Sequence, residues 1–459
     1  MNEKELLAKI NSDYTANIFK CLYGEHEIDA ARLRYSALIN EMLNNAHGGF
    51  PETELCVTCG NPQVFSSPGR TELAGNHTDH NRGKVLAASV QLDCAAIVKK
   101  RNDNIVFFRS AGFHDVKVKL TDENGRQDLE PKPEETGTTE SLVRGIASEF
   151  RRRGYKTGGF SANAASSVLP GSGLSSSAAV EVLFCRIFSS LYNEGRLNPL
   201  EIAQISQTAE NAYFGKPCGL MDQAACATGG TVAIDFADAA HPEIKKINFD
   251  PASSGYALCI VNTGGSHADL TADYASIPSE MKAVAAFFGK SVLSELEKEN
   301  ILSRAAEIRK ALGDRALLRS LHFFDENMRV DAMITALAKM EDANSAAGKQ
   351  QLLDIYMELV NESGNSSLEL LQNVYSPLRP DTQNISTALA LTKDFFRRQK
   401  LKSVHPGACR VHGGGFAGTI QVYIPLDTMN EYRAYIEKIF GADSVTPLRI
   451  RQAGAVELV

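Results

Sequence analysis

A short glycine- and serine-rich stretch constrains the fold more than any other feature of the sequence. Residues 169–184 read LPGSGLSSSAAVEVLF, and a strand-like run at 159–166 comes just before them. Glycines let the backbone approach a ligand closely, and the serines open a predicted apolar-faced helix over 176–192. Free N–H groups at a helix N-terminus, with small hydroxyls beside them, suit a phosphate. The pattern therefore predicts a strand, a phosphate-binding loop and a helix, although a simple Ser/Gly-rich helix cap is the alternative.

Size and composition limit the class of protein. The chain has 459 residues, which is too long for one ordinary core and favours two domains. A formal net charge of -7 argues against a nucleic-acid-binding protein. No run of 18 apolar residues and no signal-peptide pattern is found, which predicts a protein of the cytoplasm without a membrane partner. The nine cysteines, scattered through apolar runs, are expected to be reduced and buried.

Helical and strand-like runs alternate irregularly along the chain. Residues 1–50 have apolar positions at helical spacing and are interpreted as a helical extension. Mixed strands and helices without strict βαβ alternation then predict an α+β fold in two lobes. The expected boundaries are 51–247 for the N-terminal domain, with the phosphate loop, and 248–459 for the C-terminal domain.

Three further polar or glycine-rich stretches could carry chemistry. Residues 69–86, GRTELAGNHTDHNRGKVL, form either a solvated loop or the floor of a pocket that binds hydroxyl groups. Asp222 lies in the mostly apolar stretch 209–230, where a carboxylate needs a cation or a hydrogen-bond donor unless it caps a helix. Residues 411–418, VHGGGFAG, form a second glycine cluster, for which a tight hairpin turn is the alternative.

These motifs together resemble those of a known enzyme family. PGSGLSSSA is similar to the second motif of the GHMP small-molecule kinases, and RVHGGGFAG to their third. PGRTELAGNHTDHNRGKVL and CGLMDQ resemble stretches that the galactokinases carry in addition. The resemblance implies a two-lobed kinase with its active site between the lobes. It implies transfer of a phosphoryl group from ATP to the C1 hydroxyl of D-galactose, giving galactose 1-phosphate and ADP with Mg²⁺ as cofactor.

The resemblance also assigns roles to residues that match the motifs. It implies that Asp222 and Arg70 are catalytic and that Ser177 and Glu210 bind Mg²⁺. The positions implied to contact the sugar are Arg70, Asn76, His77, Asp79, Gly219, Asp222 and Tyr274. Those implied to bind ATP are Pro170, Gly171, Ser172, Gly173, Leu174, Ser175, Ser176, Ser177, Gly413, Gly414 and Gly415.

The sequence departs from the family pattern at four positions. Asn76 stands where a glutamate is usual and Glu72 where asparagine is common, while His412 and Ala417 replace a threonine and a glycine. If Asn76 faces the C6 substituent of the sugar, the loss of the glutamate charge would admit a uronate, and a protonated His77 would favour it further. A kinase of galacturonate or another galactose derivative is therefore an alternative. If Asn76 instead turns away and a water fills the gap, which is the favoured interpretation, the protein is a galactokinase of slightly altered affinity.

A protein of another class also remains possible, namely a non-catalytic sensor of sugar and ATP. That alternative usually requires damage to the catalytic residues, and Asp222, Arg70 and GLSSSA are intact. Helical content at 314–375 fits either a dimer face or ordinary packing; packing is favoured, which predicts a monomer.

Overall fold

The computed structural model describes residues 3–43, 50–55, 57–168, 171–265, 270–400 and 407–459. In these ranges the helices are α1 (Glu3–Ile10), α2 (Asp13–Tyr23), α3 (Ile28–Leu43), α4 (Glu52–Leu55), α5 (Thr139–Arg152), α6 (Ser176–Asn193), α7 (Pro199–Ala209), α8 (Met221–Thr228), α9 (Thr271–Phe287), α10 (Lys298–Ser303), α11 (Ala305–Leu312), α12 (Asp314–Asp342), α13 (Ala346–Ser366), α14 (Asn384–Lys400) and α15 (Met429–Phe440). The strands are β1 (Thr58–Ala74), β2 (Lys84–Arg101), β3 (Ile105–Ser110), β4 (Val116–Lys119), β5 (Phe160–Ser166), β6 (Thr231–Asp235), β7 (Glu243–Ile247), β8 (Tyr256–Asn262), β9 (Ala408–Val411), β10 (Thr419–Pro425), β11 (Val445–Leu448) and β12 (Val456–Glu457).

Two sheets organise the molecule. The larger has the order β12-β1-β2-β5-β3-β4, with β6 also on β2 and β7 on β6; the smaller has the order β11-β8-β10-β9. The long strand β2 pairs with β6 through residues 84–88 and with β5 through residues 94–100. The mixed helices and sheets confirm the α+β prediction. The domain boundaries stay predictions, and β12 returns from the chain's end to pair with β1 of the large sheet.

The large sheet is covered by helices on both faces. In β2, Cys94, Ala96 and Val98 face a core formed with α5, α6 and α7. The alternate residues Ala95 and Ile97 face a second core formed with α1, α2 and α3. Successive side chains of a strand point to opposite faces, so a sheet covered on both sides requires a continuous apolar strand. The predicted helical extension is therefore a layer of the fold.

A third core joins the two lobes. Leu73, Leu86 and Leu174 of the first lobe pack with Leu258 and Tyr423 of the second, and with side chains of α12 and α13. This shared core brings three loops to the junction of the lobes: the turn after β1, the loop before α6 and the glycine cluster before β10. The candidate site lies where they meet.

The first strand extends into the polar stretch at 69–86. β1 continues through Pro68 to Ala74, with a shift of register between Pro68 and Arg70. Such a bulge accommodates a proline, which cannot donate a ladder hydrogen bond. Arg70 and Glu72 therefore lie on a strand, and the polar loop is confined to the turn that follows Ala74.

Two expectations from composition can be compared with the coordinates. Among the described residues, no helix has both the length and the apolar character needed to cross a bilayer. The described cysteines are free thiols. Cys94, Cys185, Cys226 and Cys259 are buried as predicted, whereas Cys21 is exposed and Cys59 and Cys218 are only partly buried. Cys56 lies outside the described residues.

Candidate active site

The phosphate-binding stretch forms a tight loop between β5 and α6. Gly171 and Gly173 have φ angles of 74° and 73°, and Ser175 lies in the left-handed region at 56°. A Cβ added at Gly173 would lie 2.7 Å from Nδ1 of His412 in the second lobe. Backbone conformation and this close approach explain why glycine is needed there. Pro170 lies outside the described residues.

The start of α6 presents hydrogen-bond donors. Within the described part of the chain, no side chain caps the first turn of this helix. The half-buried hydroxyls of Ser176 and Ser177 stand beside its N–H groups. Upstream, the carbonyl of Leu174 accepts a hydrogen bond from the backbone N–H of Arg70 at 3.0 Å, which fixes the loop to β1. An uncapped helix N-terminus with small hydroxyls suits an anion such as a phosphate.

Arg70 and Asp222 form an ion pair behind this loop. Nε of Arg70 lies 2.7 Å from Oδ1 of Asp222, and the hydroxyl of Ser175 donates to the other carboxylate oxygen. Burial alone would raise the pKa of Asp222, but the charge and hydrogen bond of Arg70, helped by Ser175, hold this pKa below its usual value. Arg70 also donates to the carbonyl of Gly173. The sequence-predicted pair is thus assembled, with its carboxylate ionised at the phosphate loop.

Ser177 and Glu210 lie together at the base of α6. The Ser177 hydroxyl is 3.5 Å from Oε1 of Glu210, whose other oxygen accepts a 2.8 Å hydrogen bond from Nε2 of Gln223. The ammonium of Lys216 lies 3.1 Å from the same Oε1. A hydroxyl and a carboxylate are hard oxygen donors that suit Mg²⁺, which normally takes its other ligands from phosphates and water. A cation of the chain already sits against this carboxylate edge, so the donor set fits a positive ion.

A second carboxylate lies behind Glu210. Glu181 is fully buried in α6 and accepts a 3.1 Å hydrogen bond from the same Nε2 of Gln223. Burial, with the nearby charge of Glu210, raises the pKa of Glu181 well above its usual value. Gln223 therefore bridges the carboxyl groups of Glu181 and Glu210 and fixes the orientation of the latter.

The turn after β1 meets the middle of the 209–230 stretch, at Gly219. A Cβ added at Gly219 would lie 1.7 Å from Oδ2 of Asp79, so the Asp79 carboxylate lies directly against this glycine backbone. On the opposite side, the hydroxyl of Tyr274 donates to the carbonyl of Gly415 at 2.8 Å. A Cβ at Gly414 would be 2.4 Å from the Tyr274 ring. Close approaches on both sides account for glycine at these positions.

His77 is held by the second lobe. One ring nitrogen, Nε2, lies 3.0 Å from the carbonyl of Gly414, and the residue has a φ of 59°. Burial, with the neighbouring His80, lowers the pKa of His77 to about 3. The imidazole is therefore neutral near pH 7 and offers no positive charge to a sugar carboxylate, contrary to the condition considered from the sequence.

Asn76 does not face an open pocket. Its side chain is fully buried, and Nδ2 donates to Oε1 of Glu72 at 3.0 Å and to the carbonyl of Gly413 at 2.7 Å. Its Oδ1 accepts a 2.7 Å hydrogen bond from Asn373. Glu72 in turn receives a hydrogen bond from Arg410. The hypothesis that Asn76 contacts the sugar C6 substituent is not supported by this arrangement, because both ends of its amide are used within the protein.

The glycine cluster before β10 closes the site from the second lobe. Gly413 and Gly415 have φ angles of 63° and 81°, and a Cβ at Gly413 would lie 3.7 Å from Cα of Gly173. The hydroxyl of Thr419 donates to the carbonyl of Ser172 at 3.0 Å. The cluster and the phosphate loop are therefore in direct contact, so a single ligand bound there would contact both lobes.

His412 and Ala417, the other departures from the family pattern, have structural roles. The buried ring of His412 lies between the hydroxyls of Thr71 and Thr419, at 2.9 and 3.1 Å. Burial lowers its pKa well below the usual value, so the ring is a neutral link between the lobes. Ala417 is buried in a core of the second lobe.

Several residues of the site were not identified from the sequence. Gln223 lies inside the CGLMDQ motif but was given no role, and Lys216 lies outside the quoted motifs. Glu326 accepts hydrogen bonds from the Gly75 backbone at 3.0 Å and from Ser363 at 2.6 Å, and so holds the turn after β1 to α12 and α13. Burial would raise the pKa of Glu326, but the charges of neighbouring cationic side chains lower it to about 2.

Comparison with known proteins agrees with this geometry. The family model for the GHMP kinases N terminal domain matches residues 141–230, and that for the galactokinase galactose-binding signature matches residues 57–100. A galactokinase of Streptomyces coelicolor is 29% identical over 395 residues, which are 85% of this chain and 92% of that protein. A galactokinase of Glaesserella parasuis is 27% identical over 383 residues, 82% of this chain and 88% of that protein.

Solved structures with the same fold include two kinases. Lactococcus lactis galactokinase complexed with galactose superposes with a TM-score of 0.71 at 24% identity, covering 92% of this chain and 100% of that one. Mevalonate kinase of Methanococcus jannaschii gives a TM-score of 0.56 at 14% identity, covering 85% and 99%. Motifs, site and fold agree: the chain carries a GHMP kinase N-terminal domain together with the galactokinase galactose-binding signature.

Proposed function

We propose that this protein is an ATP-dependent galactokinase, which converts D-galactose and ATP to galactose 1-phosphate and ADP. The observation that carries the proposal is the Arg70–Asp222 ion pair at the phosphate loop, with Oδ1 of Asp222 2.7 Å from Nε of Arg70. An ionised carboxylate is thereby held where an acceptor hydroxyl and a phosphate loop meet. The galactokinase signature and the galactokinase relatives supply the sugar class.

In this proposal Asp222 orients the C1 hydroxyl and receives its proton as the phosphoryl group is transferred. Its lowered pKa keeps it charged near pH 7, and Arg70 offsets negative charge that develops on the phosphoryl group. Phosphoryl transfer passes through a loose transition state in most analyses, so correct placement of the hydroxyl matters as much as basicity.

The phosphate loop and α6 would hold the ATP phosphates, with Gly413, Gly414 and Gly415 closing over them. Ser177 and Glu210 would hold Mg²⁺, which neutralises phosphate charge when bound. Gln223 supports this assignment, since its 2.8 Å hydrogen bond leaves the Oε1 edge of Glu210 turned toward Ser177.

Asp79, Gly219, Tyr274 and His77 are proposed to line the sugar subsite. Galactose is favoured over galacturonate for two reasons. Asn76 is committed to hydrogen bonds within the protein, and the His77 ring is neutral near pH 7. Neither group therefore supplies a positive charge that would offset the free-energy cost of burying a C6 carboxylate.

A monomer of the cytoplasm completes the proposal. Helices α12 and α13, which could have formed a dimer face, instead contribute Val330, Met333, Leu353 and Tyr356 to the core that joins the lobes.

The test is an ADP-release assay with D-galactose, D-galacturonate, D-glucose and D-galactosamine, each at equal concentration. Galactose should give the highest kcat/KM, and Asp222→Asn should remove the signal as a matched inactive control. If galacturonate gave the highest kcat/KM, the substrate would be galacturonate rather than galactose. Binding of sugar and ATP without ADP release would instead identify a sensor and refute the enzyme.

A further inference from the structure

Lys216 occupies an unusual position beside Glu210. Glu210 follows α7 and opens a π-helical turn, Glu210–Phe214, after which Gly215 reverses the chain with a φ of 82°. The backbone N–H of Lys216 then donates to the carbonyl of Glu210 at 3.2 Å, and its ammonium lies 3.1 Å from Oε1 of the same residue. Backbone and side chain thus both direct Lys216 toward this carboxylate.

The ammonium contacts the edge of Glu210 that a metal would use. Oε2 is bound by Gln223, and Oε1 faces both Ser177 and Lys216. Mg²⁺ shared by Ser177 and Glu210 would compete with the ammonium for this oxygen. Lys216 must therefore be displaced when such an ion binds.

Once displaced, the Lys216 side chain is able to move and lies beside the phosphate loop. Its side chain is 63% exposed, whereas that of Glu210 is only 4% exposed, so the lysine can move while the carboxylate stays fixed. The charge of Lys216 also acts on Asp222, where it contributes to the lowered pKa. An ammonium on a flexible four-carbon arm beside a phosphate loop is able to bind a phosphate oxygen.

We propose that Lys216 is a mobile phosphate-binding residue. It neutralises Glu210 until Mg²⁺ takes that carboxylate, and then binds a phosphate oxygen of ATP. The inference rests on the proposed function, because it needs Glu210 as the metal ligand. A lysine that merely stabilises the 215–220 segment by an ion pair is the alternative.

Removal of the Lys216 charge is expected to lower the Mg²⁺ requirement and to weaken the binding of ATP. Without Lys216, Mg²⁺ meets no competing ammonium at Glu210, so less Mg²⁺ is needed for half-maximal rate. In the absence of metal, Lys216 offsets the charge of Glu210 beside the phosphate loop, so its removal leaves this carboxylate to repel the triphosphate, and metal-free ATP binds more weakly. A purely structural lysine would change the affinities for ATP and AMP alike, since both would sense the same local disorder.

The experiment compares Lys216→Met with Lys117→Met as matched control. Lys117 pairs with the largely buried Glu54 at 2.5 Å on the edge strand β4, so the control breaks a similar ion pair outside the candidate site. Displacement of a fluorescent ATP analogue in EDTA gives the affinities for ATP and AMP. The Mg²⁺ dependence of ADP release with galactose gives the metal requirement. Lys216→Arg, which keeps the charge, should retain wild-type affinity for ATP.

For Lys216→Met we expect ATP affinity in EDTA to fall at least about fivefold, which corresponds to ~1 kcal/mol. AMP affinity should stay within about twofold of the wild-type value, because the effect acts on the outer phosphates. The Mg²⁺ concentration for half-maximal rate should fall at least about threefold. Equal losses for ATP and AMP, an unchanged Mg²⁺ requirement, or the same changes in Lys117→Met would each overturn the proposal. ATP binding in EDTA needs no sugar, so a wild type that phosphorylates no hexose would refute the proposed function while the nucleotide affinities still decide the role of Lys216.

Discussion

Substitution of Asn76 by glutamate tests whether this residue reads the sugar or supports the lobes. In the structure, its Nδ2 donates to Glu72 at 3.0 Å and to the Gly413 carbonyl at 2.7 Å, both inside the protein. Asn76→Glu replaces this donor with a carboxylate oxygen. The buried carbonyl of Gly413 then loses its partner, Glu72 keeps only its hydrogen bond from Arg410, and two carboxylates face each other.

The cost can be estimated from these contacts. A buried polar group left without a partner costs about 1–3 kcal/mol of unfolding free energy, and the Gly413 carbonyl is such a group. Repulsion between the carboxylates adds to this, limited by protonation of one of them. We therefore expect urea denaturation, followed by circular dichroism, to show a loss of stability in this range.

A double variant separates this explanation from simple overcrowding. In Glu72→Gln/Asn76→Glu the donor and acceptor roles are exchanged, because the amide introduced by the first change can donate to the carboxylate introduced by the second. We expect addition of Glu72→Gln to recover about 1–2 kcal/mol, a typical coupling for contacting groups. The reasoning would be refuted if Asn76→Glu kept wild-type stability and instead worsened the galacturonate-to-galactose ratio of kcat/KM by tenfold or more, ~1.4 kcal/mol.

Three further changes test the site. Asp222→Asn should lower kcat by about 10²–10⁴-fold in a single-turnover assay while sugar and ATP still bind, because the amide keeps the shape but loses the charge. Gly219→Ala should raise KM for galactose about tenfold, ~1.4 kcal/mol, and leave KM for ATP unchanged, because the added Cβ would displace the Asp79 carboxylate. For Glu326, the folded pKa of about 2 lies below the ordinary 4.5, so its stabilising effect is present above pH 4.5 and is lost as the pH falls toward 2. The stability advantage of wild type over Glu326→Gln should accordingly shrink by about 3 kcal/mol over that range in urea titrations.

Local sequence patterns predicted the parts of the site that local backbone geometry determines. The phosphate loop is one example, because Gly171, Gly173 and the serines after them specify a tight turn and a helix start within a short stretch. Arg70 and Asp222 are 152 positions apart. Their pairing was inferred from the family motifs, since no periodicity or spacing links two positions so distant.

The orientation of Asn76 could not be predicted in the same way. The partners that turn it inward are Asn373, 297 positions away, and Gly413, 337 positions away. Neither position stands out as a partner in the sequence, and the departures at positions 72 and 76 were considered separately rather than as a contacting pair. The structure instead places both residues in one buried network with Arg410. A substitution within a binding motif can thus alter how two lobes are joined without altering what they bind.

Contacts between residues distant in the sequence also join the N-terminal helices to the base of the phosphate loop. Asp93 of β2 is fully buried, and its carboxylate is neutralised by Arg34 of α3 at 2.7 Å and by Arg451 near the chain's end at 3.2 Å. The backbone N–H of Asp93 donates to the hydroxyl of Ser167 at 2.9 Å, just before the phosphate loop, and Arg34 reaches the same hydroxyl. A buried carboxylate needs cations and hydrogen-bond donors to offset its loss of hydration. The N-terminal extension therefore supplies one of the two cations that neutralise Asp93 at the base of the phosphate loop.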